Sequence, residues 1–240
     1  MTPTKAISFS LWGDSPLYTL GAKRNVALAK KIYPEWKCFF YCNSCVPMET
    51  IDALSRNDNT VVRLIDSVGN NRSSMNRFLT VNEPGLTHVV FRDADSRISY
   101  RERIAVDAWM KADTDVHVMR DHPYHSWYIQ AGMFGVKPAK FIDHLIPSMN
   151  SFAGDQRTVD QDFMSAYICK RLSSGEITQT VHDPFHAKIP FPNGCQRGDA
   201  NGGVFYVGER IELGENNEDL YESEAYVNNR RLVRANDLHQ

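Results

Sequence analysis

The chain lacks long apolar runs. No stretch approaches the roughly 18 residues that a membrane-crossing helix needs, and the opening apolar segment Ala6–Trp12 is too short and too polar for a secretory signal core. A cytoplasmic location is the resulting expectation. Charge of either sign is not in excess. Against 29 Asp and Glu stand 27 Lys and Arg, a formal net charge of -2, so there is no global electrostatic case for nucleic acid or an acidic membrane as the main partner. Cysteine is scarce and odd in number, five residues, which argues against a disulfide framework. Cys42-Asn-Ser-Cys45 has the CxxC spacing, but no second pair follows at zinc-ribbon distance. The pair reads as small residues in a strand-to-loop turn. Internal repeats and linkers are also absent. The 240 residues, 42% of them hydrophobic, predict one α/β domain with a sizeable core.

What is there begins with a strand–helix alternation. The apolar pattern predicts a strand over Ile7–Leu11 and a helix over Gly21–Tyr33 stopped by Pro34. A strand over Lys37–Cys42, a short helix over Pro47–Leu54 and a strand over Thr60–Ile65 follow. This order predicts parallel pairing with helices on both faces. After a polar loop at Asn70–Ser74 come a helix over Met75–Val81 and a nearly continuous apolar strand, Thr87–Phe91, of the kind buried in the middle of a parallel sheet. Downstream, helices are expected over Arg101–Lys111, Phe141–Met149 and Val159–Arg171, and strands over Val116–Met119, Ala131–Val136, Glu176–Val181 and Val204–Val207. An N-terminal half spans about 5–110, a C-terminal half about 111–212, and a polar tail 213–240.

The central strand ends in Arg92-Asp93-Ala94-Asp95. Ligands of open α/β sheets sit beyond the carboxyl ends of the strands. Two Asp one residue apart point to the same side of an extended chain. Both can then grip one hard divalent cation, which prefers oxygen ligands, and such a cation can neutralise a departing diphosphate. Taken alone, the tripeptide is as readily a solvated acidic turn with Arg92 and Arg97 as partners.

Several segments in order carry a resemblance. They are Ser8-Phe-Ser-Leu-Trp-Gly13, Gly21-Ala-Lys-Arg-Asn25, Arg77-Phe-Leu, Phe91-Arg-Asp-Ala-Asp-Ser-Arg97, Met119-Arg-Asp-His-Pro-Tyr-His125, Ala131-Gly-Met-Phe-Gly135, Val159-Asp-Gln-Asp-Phe163 and His182-Asp-Pro-Phe-His-Ala-Lys188. Together they resemble small bacterial and viral glycosyltransferases of the GT-A fold, including the N-terminal domain of a chlorella-virus glycosyltransferase. More distantly the pattern is similar to retaining transferases of the glycogenin and bacterial galactosyltransferase type. The resemblance implies a single α/β domain with a mostly parallel central sheet flanked by helices. It implies Mn²⁺ (or Mg²⁺) on Asp93 and Asp95 with His182 as third ligand, His186 being the rival for that place. It further implies Lys188 on the diphosphate, Arg77 on the donor sugar or ribose, and Asp160-Gln161-Asp162 opening a helix beneath the sugar. The familiar Lys-Pro-Trp after the histidine is Lys188-Ile-Pro-Phe here.

The remaining candidates each have two readings. Arg24 either reaches the diphosphate, since arginine suits phosphate, or is a surface helix charge. Arg77 sits on a half-buried helix and wants a partner, which Asp93 or the donor would supply. Asp160, Gln161 and Asp162 either attend the anomeric carbon or complement a helix dipole. Asp121 either holds sugar hydroxyls, or acts as a base, or serves a turn before Pro123. His122, Tyr124, His125, Trp127 and Tyr128 either stack on an acceptor sugar or pack a patch. Ser10, Leu11 and Trp12 either flank the base and ribose or simply pack the strand, Arg92 and Ala94 go with Asp93 as expected donor contacts, and Gly132 either lets backbone approach the sugar or serves tight strand packing. The activity expected is transfer of a sugar from a nucleotide-sugar donor, UDP-sugar first, to a glycan, lipid-linked sugar, protein or modified DNA base, with retention. Two other readings stand beside it: a non-catalytic carbohydrate-binding protein, and a D-x-D phosphotransferase, whose acidic pair usually lies on the first strand.

Overall fold

Seven strands make one sheet in the computed structural model, which describes residues 4–192 and 206–220. Cys195, Val204 and Phe205 of the expected strand Val204–Val207, and Arg230, Arg231 and Arg234, a small basic group in the polar tail, lie outside the described residues; Tyr206 and Val207 lie in a bend and turn, not a strand. The strands are β1 (Thr4–Leu11), β2 (Trp36–Asn43), β3 (Thr60–Ile65), β4 (Leu86–Arg92), β5 (Val116–Met119), β6 (Met133–Val136) and β7 (Gln179–His182). Their spatial order is β3-β2-β1-β4-β6-β5-β7. The first four run parallel, as strands alternating with helices must. β6 is antiparallel to both β4 and β5. The link from β5 to β6 contains no helix, so it has no crossover to return the chain in parallel.

The period of two along the strands divides the core into two layers. Ile7, Phe9 and Leu11 of β1 and Cys38, Phe40 and Cys42 of β2 face one way. There they meet α1 (Pro16–Ile32), α2 (Met48–Ser55) and α3 (Tyr100–Ala112). Phe39 and Tyr41 of β2 and Phe91 of β4 face the other way. They meet a 3-10 helix (Asn71–Asn82), α4 (Leu145–Ser151) and α5 (Val159–Ser173). Phe78 of the 3-10 helix sits edge-on to Phe91 at 5.2 Å and to Phe134 at 5.9 Å, a geometry that adds to simple burial. The CxxC pair is divided between environments. Burial pushes the Cys42 thiol up to about 12, and Cys45 Sγ accepts from the Gly13 N–H at 2.9 Å.

Of the places where the structure departs from the sequence expectation, two shape the site. Helix α1 begins at Pro16, not Gly21, because proline at the first helical position is pre-set for the helix and gives up no needed N–H. The segment after Asn70 is 3-10 from Asn71 onward, without the expected loop or α-helix. Asn70 caps it, accepting from Arg72 N–H at 3.0 Å, while Ser73 Oγ accepts from Asn70 N–H at 3.0 Å. Three residues per turn place Asn71, Ser74, Arg77 and Thr80 in one row. That row lies along β1. Ser8 Oγ donates to Arg77 O at 2.8 Å and accepts from Thr80 Oγ1 at 2.6 Å. Ser10 Oγ donates to Ser74 O at 3.0 Å and accepts from Arg77 N–H at 2.8 Å.

Helix α1 rests directly on the turn that leaves β4. A Cβ on Gly21 would stand 2.0 Å from Ala94 O. Asn25 completes the contact, donating to Ser96 O at 2.8 Å and accepting from Ile98 N–H at 3.0 Å. Gly21→Ala is therefore expected to destabilise the fold by about 2 kcal/mol through overpacking, despite alanine's better helix propensity. Urea denaturation of the variant against wild type measures this.

Candidate active site

A cleft of 460 Å³ opens at the carboxyl ends of β1 and β4. Its walls are Trp12 after β1, Tyr18 of α1, Asn71 and Ser74 of the 3-10 row, Asp93 and Asp95 after β4, Ala131 and Gly132 before β6, and Arg157, Asp160 and Gln161 around the start of α5. The Trp12 and Tyr18 rings stack at 6.4 Å with 20° between planes. Both acidic residues of the D-x-D turn therefore face one concave space, together with Asp160 and Gln161 from a distant part of the sequence.

Arg77 organises the acidic floor. Its side chain is 3% exposed and its guanidinium bonds Asp93 and Asp160 at once, with a further bond to Arg92 O at 3.2 Å. Burial works against its charge, but Asp93 and Asp160 more than reverse that and hold its pKa above the ordinary value. Asp160 is shifted upward by burial, with Arg77 opposing. Asp93 keeps its place because the opposite wall is glycine: a Cβ on Gly132 would stand 2.0 Å from Asp93 Oδ2. Asp95 is pushed up to about 6, first by burial and then by the charge of Asp93. Its nearest cation is Arg210, Nε 3.7 Å from Oδ2.

The donor set fits a hard divalent cation. Two carboxylates face one cleft, each with one arginine beside it, and the cleft leaves room for water and phosphate oxygens, as Mg²⁺ and Mn²⁺ require. Among the described residues no group of three His, Cys, Asp or Glu side chains is assembled for a metal. His182 in particular is buried and bonds His117, Nδ1 to Nε2 at 2.8 Å, with Phe191 5.5 Å from its ring. His186 is exposed, and its backbone N–H is taken by Asp183.

Other expected site residues are placed elsewhere. Asp121 is fully buried, paired with Arg101 at 2.6 and 2.8 Å, and accepts from Val207 N–H at 3.0 Å. Asp162 accepts from Gln156 Nε2 at 2.7 Å and Thr158 Oγ1 at 3.0 Å, so it braces the entry to α5. Arg24 is held by Asp219 and by Asn217 O. Arg92 is buried under the turn, bonding Gly132 O at 2.9 Å and facing Glu102 at 3.2 Å. Ala94 is covered by α1, and Ser10 and Leu11 stand behind Trp12 and Tyr18 in a small niche. Lys188 is exposed in a turn with φ 57°, closed by the Asp183–Ile189 bridge. His122 packs on Tyr206 at 4.5 Å, and Tyr124 and Trp127 beside it are 60% and 38% exposed; none of the three lines the cleft. The site also takes in Tyr18, Asn71, Ser74 and Arg157 along the cleft wall, with Arg210 beside Asp95. Pro16 would have signalled the earlier helix start that presents Tyr18 to Trp12. The 3-10 row had no period to reveal it.

The strand order, with one reversed strand next to the strand carrying the acidic turn, defines the nucleotide-diphospho-sugar transferase (GT-A) fold. No protein-family model and no curated protein matches the sequence. Among solved structures, the chain is similar to 4-diphosphocytidyl-2C-methyl-D-erythritol synthase from Anaerococcus prevotii, with 10% identity over 75% of this chain and 86% of that one, at a TM-score of 0.50. It also matches S. aureus TarS 1-349 (12% identity, 75% and 58% of the chains, TM-score 0.48). A third match is a glycosyltransferase involved in glycosylation of the major capsid of PBCV-1 (15% identity, 76% and 82%, TM-score 0.47). With the first of these, at 10% identity, it is the fold alone that is shared. No helix among the described residues is long and apolar enough to cross a membrane.

Two predictions come from these contacts. Arg77→Met leaves the Asp160 carboxylate buried without its partner, so unfolding in urea should be easier by about 3 kcal/mol; Arg77→Lys, a point charge that cannot bridge two carboxylates, should recover only part of this. The second concerns pH. Burial, helped by Arg101, lowers His182 from 6.5 to about 4. Between those values the unfolded chain binds a proton that the folded chain refuses, so stability rises with pH through the window and is complete above it. Going from pH 7 to pH 5 should cost wild type about 2 kcal/mol that His182→Asn does not lose. Urea titrations of both proteins at the two pH values give the difference.

Proposed function

We propose that the protein is a metal-dependent glycosyltransferase that moves a sugar, with retention, from a nucleotide-sugar donor of the UDP class to a glycan, lipid-linked or other hydroxyl-bearing acceptor. The observation that carries this reading is the convergence in one cleft of a stacked ring pair, two carboxylates of a D-x-D turn, and the Asp160–Gln161 helix start. The stacked Trp12 and Tyr18 offer a flat apolar wall for a nucleobase. Asp93 and Asp95 would hold Mn²⁺ or Mg²⁺, whose contribution is to neutralise the diphosphate as it leaves.

The chain's own residues supply the rest. Arg77 orients Asp93 and engages the Asp160 carboxylate beside it. Gln161 lines the cleft, and its side chain has no hydrogen-bonded partner among the described residues. Its amide oxygen is therefore the group free to face the anomeric carbon as positive charge develops there, while Asp160 serves as its support. A nucleotidyltransferase reading would want a glycine-rich phosphate loop after β1, and Leu11-Trp-Gly-Asp-Ser-Pro16 is not one. A D-x-D phosphotransferase would carry its pair on the first strand, whereas here it follows β4.

The test is release of free nucleotide from a panel of nucleotide sugars with and without Mn²⁺. One donor should be hydrolysed in the presence of Mn²⁺, and Asp95→Ala should lower that rate at least about a hundredfold. Equal release by wild type and variant would set the reading aside.

A further inference from the structure

Each carboxylate of the acidic turn has an arginine beside it, and the two arginines are held in opposite ways. Arg77, at Asp93, is buried and tied as well to Asp160 and to Arg92 O. A cation arriving at the turn cannot dislodge it without breaking the junction of the 3-10 helix, β4 and α5. Arg210, at Asp95, has a side chain 52% exposed, and Asp95 is its only ion-paired partner among the described residues. A pair 3.7 Å apart whose arginine is half exposed is weakly held, so this guanidinium can move.

The backbone that carries Arg210 is anchored. Arg210 bridges Ser96, and Ile211 N–H donates to Asp95 O at 2.8 Å. Upstream, Val207 N–H donates to Asp121 Oδ2 at 3.0 Å. Downstream, a hairpin of β8 (Glu212–Leu213) and β9 (Asp219–Leu220) is pinned by Asp219, which takes two bonds from Arg97 at 2.8 and 2.6 Å and pairs with Arg24. The segment Tyr206–Leu220 is thus a strap with fixed backbone that delivers one movable cationic side chain to the acidic rim.

We propose that Arg210 is the exchangeable counter-charge of the cleft: it neutralises Asp95 in the cation-free protein, yields that carboxylate to the divalent cation, and then engages the nucleoside diphosphate. The inference rests on the glycosyltransferase reading above. Its physical basis is that a guanidinium and a divalent cation repel each other across one carboxylate. A diphosphate offers the displaced guanidinium oxygens suited to its fork of donors. The two halves have opposite signs: removing Arg210 should help the cation and harm the nucleotide, a split that a merely structural residue would not produce.

The experiment is calorimetric titration of wild type, Arg210→Gln and Arg210→Lys, first with MnCl₂ alone and then with UDP in saturating Mn²⁺. Because the strap is anchored through its backbone and Asp219, all three proteins should show the same thermal unfolding. Arg210→Gln should bind Mn²⁺ about fivefold more tightly and UDP about tenfold more weakly. Arg210→Lys should keep the wild-type Mn²⁺ affinity and recover part of the UDP affinity. Unchanged or weaker Mn²⁺ binding in Arg210→Gln overturns the exchange, and unchanged UDP binding overturns the engagement with diphosphate. If wild type takes up no Mn²⁺, the glycosyltransferase reading falls and this one with it; if wild type takes it up and Arg210→Gln does not differ, this one falls alone.

Discussion

The guanidinium of Arg77 joins three segments that the chain brings from far apart. It sits on the 3-10 helix, reaches the end of β4 through Asp93 and the Arg92 carbonyl, and reaches the first turn of α5 through Asp160. A buried cation of this kind is costly unless it is paired and hydrogen-bonded, so the three segments must stay in register for the charge to be tolerated at all. The cleft is the space left over when that condition is met. Its acidic turn faces outward because Arg77 secures one carboxylate from below, and Gln161 faces inward because its neighbour Asp160 is already engaged.

The acidic turn is also confined from two sides by the absence of side chains. Gly21 of α1 lets the helix lie against Ala94 O, and Gly132 leaves the volume that the Asp93 carboxylate occupies. Glycine here is a matter of clearance rather than of backbone angle, since neither residue is among the glycines with positive φ. Together with the strap that bonds Asp95 O from the far side, these contacts hold a charged turn in a defined shape without filling the cleft. Preorganised charge of this kind does not need to rearrange when a ligand of opposite sign arrives.

Much of the architecture was legible because it rests on local pattern. The parallel strands β1 to β4 announce themselves as apolar runs separated by helical periods, and the acidic pair stands just beyond the end of one of them, β4. What was not legible depends on partners distant in the chain. Asp121 looks like a free carboxylate before a proline, yet Arg101 claims it from the preceding helix. Arg24 looks like a phosphate ligand, yet Asp219 pairs with it from the strap, 195 residues away. His182 has the spacing of a metal ligand, but its Nδ1 is bonded to His117 on the adjacent strand β5. Composition and spacing report which groups are present. They do not report which of them have already been spent on one another, and for ionisable groups that is the deciding fact.

The tight winding of the segment Asn71–Asn82 has a consequence for how this protein can vary. With three residues per turn, loss or gain of one residue within the segment would rotate everything beyond it by about 120°. Arg77 would swing off the acidic turn, and a neighbour from another row would take its place facing β1. Side chains on the outer rows can drift freely, but the length of the segment cannot. Homologous chains that keep the same cleft should tolerate changes in this stretch only in whole turns, and insertions should gather in the loops on either side.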